Sequence, residues 1–176
     1  MTCIVAVSDG NKVYMAGDSC AVDDSTITSR QNPKVFINNG IAIGYCQSFR
    51  MGQIIQYIFV PPTIHKNIDL MEYMVTSFVP ALKDCLDEND FPAHDDDKEN
   101  WSVIVGIENK LFYIESDWQV GFDNNQYYAI GSGSPYALGA MYASMSKNPI
   151  EKLTIGLEAA MEFSPFVRTP FHFINT

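Results

Sequence analysis

The sequence has no CxxC pair, no Gly-Lys-Ser/Thr phosphate loop, few basic residues, and no run approaching the roughly 18 apolar residues of a membrane span. Each absence excludes a class of function. With 11 Lys and Arg against 21 Asp and Glu, the formal net charge of -10 repels a phosphate backbone, so no nucleic-acid partner is expected. Cys3, Cys20, Cys46 and Cys85 are widely spaced and read as reduced thiols, not as a disulfide or zinc framework. The opening MTCIVAVSDG is broken by Ser8, Asp9 and Gly10 too early for a secretory leader. The expectation is a soluble, cytoplasmic protein with no membrane partner and no cofactor. His94 beside Asp95, Asp96 and Asp97 is a weak metal signal, because one histidine in an acidic, irregular stretch reads as solvated connector; no metal is expected.

What is present is a chain of 176 residues, 47% hydrophobic, enough for a substantial core and the length of one domain spanning 1–176. Residues 2–7 and 12–16 read as strands around an Asp9-Gly10 turn, and 34–37 and 41–45 as strands around Asn38-Asn39-Gly40, so four strands open the chain. Met51, Ile54, Ile55 and Ile58 then fall three and four apart, predicting a helix that ends at Pro61-Pro62. Asp69 is placed to cap a second helix through Met74, Phe78 and Leu86, which Pro80 bends or ends early. Strands follow at 102–107, 111–116, 120–122 and 127–130. Two helices come next, one after Gly131-Ser132-Gly133 and one over 149–163, and a strand at 171–174 closes the chain. Runs of strands followed by runs of helices, twice over, argue for an α+β fold of two packed antiparallel sheets with a helix pair on each outer side.

The chemistry concentrates at the start. Removal of Met1 would leave Thr2 with a free α-amine beside its own hydroxyl. An amine with an ordinary pKa near 7.7–8.0 can take that hydroxyl's proton at neutral pH. A small second residue is common and means little alone. It gains weight from Ala16-Gly17-Asp18-Ser19, which puts a carboxylate at the end of the second strand beside the start of the first. Asn32-Pro33-Lys34-Val35-Phe36 adds a lysine at the opening of the third. An Asp18–Lys34 pair near Thr2 would hold a positive charge by the hydroxyl and favour its deprotonation. Gly131-Ser132-Gly133 lets backbone approach closely and offers a hydroxyl where a strand turns into a helix. Singly, Asp18 reads more simply as a turn ligand and Lys34 as an exposed strand end.

Thr2-Cys3-Ile4-Val5-Ala6-Val7, Ala16-Gly17-Asp18, Lys34-Val35, Ile43-Gly44-Tyr45 and Ile130-Gly131-Ser132-Gly133 with Tyr136-Ala137 together resemble the proteasome β-subunit family, and within it the HslV-type peptidases. The resemblance implies a four-layer αββα sandwich and a threonine-type peptidase of N-terminal-nucleophile type. In that reading Thr2 is the nucleophile, Asp18 and Lys34 tune it, and Ser132 stands near the α-amine. Cys46 and Gln47 form the oxyanion and substrate loop, while Gly44, Gly131 and Gly133 lie beside substrate. It also implies a peptide or unfolded-protein substrate, a homo-oligomeric ring that buries apolar helix surface such as Met51, Ile55 and Tyr57, and possible partnership with an ATP-dependent unfoldase. Two departures stand out. Cys46-Gln47-Ser48 replaces the family's Gly-Gly pair, and the segment from Glu162 to Arg168 does not reproduce its Asp/Ser loop. The alternatives are a non-catalytic ring or scaffold subunit and a small-molecule amidase of the same fold. A retained Met1 would block the α-amine, and Cys3 reads as strand core.

Overall fold

A computed structural model describes residues 2–91, 101–145 and 147–176 of the chain. Six strands open it: β1 (Ile4–Ser8), β2 (Val13–Gly17), β3 (Cys20–Asp23), β4 (Thr26–Ser29), β5 (Val35–Asn38) and β6 (Ile41–Cys46). The first turn closes because Asp9 Oδ1 accepts the N–H groups of Asn11 and Lys12 at 2.8 and 2.9 Å. The β3–β4 hairpin corrects the expected four strands. All four residues of β4 are exposed, so it carries no buried alternation for a sequence reading to detect.

Helix α1 (Phe49–Tyr57) follows, and α2 (Leu70–Tyr73), a π-helical turn (Met74–Phe78) and α3 (Val79–Glu88) form one continuous helical stretch. Asp69 caps it, its Oδ1 accepting from Met71 and Glu72 N–H at 2.9 and 3.1 Å. Pro80 does not end this helix. The widened π turn just before it takes up the missing N–H and the bulk of the ring. The rest is β7 (Ser102–Ile107), β8 (Lys110–Glu115), β9 (Val120–Gly121), β10 (Tyr127–Ile130), α4 (Ser134–Ala143), α5 (Pro149–Phe163) and β11 (His172–Asn175). No described helix is long and apolar enough to cross a membrane. Met1, and Pro92, His94 and Asp95 to Asp97 of the acidic stretch, lie outside the described residues.

The strands form two larger antiparallel sheets, in the orders β10-β1-β2-β11 and β5-β6-β7-β8-β9, with β3-β4 apart. Both faces of β1 are covered, which is why its residues are apolar without alternation. Val5 and Val7 face Met141, Leu153 and Leu157 of α4 and α5. Ile4 and Ala6 face Val35 and Ile104 of the other sheet. On that sheet's far side Ile43 and Val105 pack with Ile54 and Phe78 of the helical layer. Met51 and Ile55 belong to this core and are not free for ring contacts as expected; Tyr57, 71% exposed, is.

The two sheets come unusually close where β5 and β6 cross β1 and β2. A Cβ on Gly44 would stand 2.7 Å from both Ile4 Cγ2 and Met15 Sδ. Gly44 is thus an inter-sheet packing residue. The close approach has a consequence for chemistry, because it brings Lys34, just before β5, to the head of β1.

Candidate active site

The register of β1 on β2 pairs Ile4 with Gly17, so Thr2 and Asp18 extend past the same end of the hairpin. Asp18 locks this end: its N–H donates to Cys3 O at 3.2 Å, and its Oδ1 accepts from Cys3 N–H at 3.0 Å. Its other oxygen accepts from the N–H groups of Cys20 at 2.8 Å and Arg168 at 3.4 Å. Three backbone N–H groups thus hold a carboxylate that is fully buried.

Lys34 enters from the facing sheet. Its Nζ donates to Thr2 Oγ1 at 2.9 Å, Asp18 Oδ1 at 2.9 Å and Cys20 O at 2.6 Å, which uses all three ammonium donors. Thr2 is 3% exposed and Lys34 1%. Burial lowers the lysine's pKa below its ordinary value, and the Asp18 charge opposes that shift without cancelling it. The arrangement can hold a cation against one hydroxyl oxygen at a buried position.

The turn into α4 grips Thr2 from the other side. Ser132 Oγ accepts from Thr2 N–H and donates to Thr2 O, both at 3.3 Å, and Gly133 N–H donates to the same carbonyl at 3.2 Å. Gly131 has φ +92, and a Cβ there would run into that carbonyl oxygen. Gly131 and Gly133 therefore lie directly against Thr2, and Gly133 also faces the Cys3 side chain. The structure brings Thr2, Asp18, Lys34 and Ser132 together. Cys3 turns away into the core under α4 and α5, where burial pushes its thiol pKa far up.

Cys46 ends β6 opposite Ser102 and is buried between the sheets, its thiol also pushed up by burial. Gln47 is exposed and has φ +78, a backbone conformation that favours glycine. Ser48 then caps α1, its Oγ accepting from Met51 N–H at 3.2 Å. No group of three or more metal-ligating side chains occurs among the described residues.

Sequence reasoning missed three contributors. Ser19 is buried, and its Oγ donates to Pro170 O at 2.6 Å while its N–H donates to Arg168 O at 3.0 Å. The Cys20 carbonyl takes the shortest of the Lys34 bonds, and the Arg168 amide reaches Asp18 across 150 residues of chain. Backbone groups carry no sequence signal, so only Ser19, next to Asp18, was open to notice.

With this geometry described, solved structures can be compared. Thiobacillus denitrificans BPH, in complex with Epoxomicin, superposes with a TM-score of 0.79 at 20% identity, over 99% of this chain and 97% of that one. HslV from Trypanosoma brucei gives 0.69 at 17% identity, over 98% of each chain. Anbu from Yersinia bercovieri gives 0.70 at 14%, over 98% of this chain and 80% of that one. The fold is that of HslV and Anbu. No protein-family model and no curated protein matches the chain. At these identities the likeness establishes an HslV-like fold, and the chemistry rests on the chain's own residues.

Proposed function

We propose that this chain is a threonine-type N-terminal-nucleophile hydrolase that cleaves peptide bonds. The observation that carries the reading is the buried contact of Lys34 Nζ with Thr2 Oγ1 and Asp18 Oδ1, each at 2.9 Å. After Met1 is removed, the Thr2 nitrogen becomes an amine beside Ser132. Thr2 Oγ1 attacks the scissile carbonyl carbon as its proton passes to this amine, which then gives the proton to the departing peptide nitrogen. An ester to Thr2 remains, and water activated by the same amine hydrolyses it. Lys34, held as a cation by Asp18, stabilises the developing alkoxide, and Ser132 orients the amine.

The oxyanion is assigned to backbone N–H groups around Cys46 and Gln47. Support comes from the left-handed backbone at Gln47. A non-glycine residue adopts it at a cost of roughly 1–2 kcal/mol, as seven other non-glycine residues among the described ones also do. The departure from Gly-Gly thus changes the side chain and leaves a glycine-like conformation.

The proposal includes a single four-layer αββα domain in the cytoplasm, assembled as a homo-oligomer. The three apolar cores support the layering. A solved structure of the Pseudomonas aeruginosa Anbu complex is a helical assembly, in keeping with association of this fold. An ATP-driven unfoldase partner rests on the sequence resemblance to HslV-type peptidases.

The test is hydrolysis of a fluorogenic peptide library by the purified native chain and by Thr2→Ala. The native chain is expected to turn over peptides, and the variant to lose more than about 10³-fold. Turnover that survives Thr2→Ala would reject the mechanism. Cleavage of small amides with peptides left intact would make it an amidase, and an inert native chain would make it a structural subunit.

A further inference from the structure

We infer that Arg30 selects peptides carrying an acidic side chain next to the scissile bond, the Phe49 ring holding its guanidinium at the mouth of the site. This deepens the reading of Thr2 as nucleophile and rests on it. Arg30 follows β4, and its N–H donates to Ser19 O at 2.9 Å, which ties its backbone to the residue after Asp18. Its guanidinium carbon lies 4.0 Å from the centroid of the Phe49 ring. That ring is in turn 5.8 Å from Lys34 Nζ, the atom bonded to Thr2 Oγ1. The Phe49 ring is thus within cation–π reach of both an exposed cation and the buried one at the nucleophile.

The two cations differ in what they can still do. Lys34 has spent its three donors on Thr2, Asp18 and Cys20. Arg30 is exposed and has no ion-pair partner among the described residues, although the chain carries 21 acidic residues. A cation–π contact uses none of the guanidinium N–H donors as hydrogen bonds to an acid, and a guanidinium fork can take a carboxylate in two parallel hydrogen bonds. Against a net charge of -10, which repels acidic peptides generally, an unspent fork beside the site is a local attraction that a neutral or basic side chain does not gain.

An exposed cation on an aromatic ring is also an ordinary way to cover surface, and the experiment separates the two. Peptides differing only in the residues flanking the scissile bond (Asp or Glu, Asn or Gln, Lys) are compared by kcat/KM for the native chain, Arg30→Ala and Arg30→Glu. The native chain is expected to favour the acidic member over its amide about fivefold, the size of an exposed charge pair, with the preference fading at 1 M salt. Arg30→Ala should abolish the preference and leave cleavage of the amide peptide unchanged, and Arg30→Glu should turn it toward lysine. A native chain that cleaves peptides without acidic preference, or a preference that survives Arg30→Ala, overturns the inference and leaves the peptidase reading standing. A native chain that cleaves none of the peptides overturns both.

Discussion

Lys34→Met is expected to cut peptide turnover by about 10³-fold and to destabilise the fold as well. The loss of rate follows from removing the cation 2.9 Å from Thr2 Oγ1, since activating groups of this kind contribute 10²–10⁴-fold. The loss of stability follows from Asp18, which would keep its backbone donors but lose its counter-charge in a fully buried position. Breaking a buried pair on one side costs about 3–5 kcal/mol. The double variant Lys34→Met with Asp18→Asn separates the two effects. Removing both charges should restore part of the thermal stability, because the new amide NH2 faces a backbone N–H that the carboxylate had accepted, and none of the activity. If the double variant regained turnover, Lys34 would be a structural residue only. In the native chain burial lowers the lysine pKa, so Nζ loses its proton, and the site its cation, at a pH below the ordinary 10.5. The alkaline limb of the rate profile is therefore expected below 10.5, with activity falling as pH rises through it.

Gly131→Ala should be the next most damaging change, although it removes no functional group. A side chain at φ +92 is strained, and its Cβ would collide with the Thr2 carbonyl oxygen, a backbone atom that cannot swing aside. Either Thr2 or the turn must shift, and the contacts from Ser132 and Gly133 to that carbonyl shift with it. A displacement near 1 Å at a reacting group costs on the order of 10²-fold in rate. A strain of about 2 kcal/mol lowers Tm by roughly 4–8 °C in a domain of this size. Gly139→Ala in the exposed face of α4 is the control: nothing lies within 4 Å of its added Cβ, so activity should hold and Tm should rise slightly. Equal turnover in the two variants would show that the grip on Thr2 is not required.

How much of this was legible depended on whether a residue's partner was local. The Asp9 turn, the Asp69 cap and helix 149–163 were legible because caps and periodicity are written within a few neighbouring positions. The meeting of Thr2 with Asp18 follows from a hairpin and needs no long-range knowledge. The arrival of Lys34 does not, because it depends on how closely two sheets stack, and that is set by Gly44 and Gly17 against Ile4. Met51 and Ile55 have the same apolar spacing whether they face a core or a neighbouring subunit, so periodicity could not tell the two apart. β4 left no pattern because none of its side chains is buried. The Arg168 amide left none because a backbone N–H is the same in every residue but proline.

Intact-mass measurement of the purified chain, before and after treatment with a peptide α′,β′-epoxyketone, tests the central claim most directly, because this electrophile's two reactive carbons need a hydroxyl and a free amine on one residue. The account predicts a mass lacking Met1 and a single adduct that maps to Thr2. A chain that keeps Met1 and takes up no reagent would contradict it.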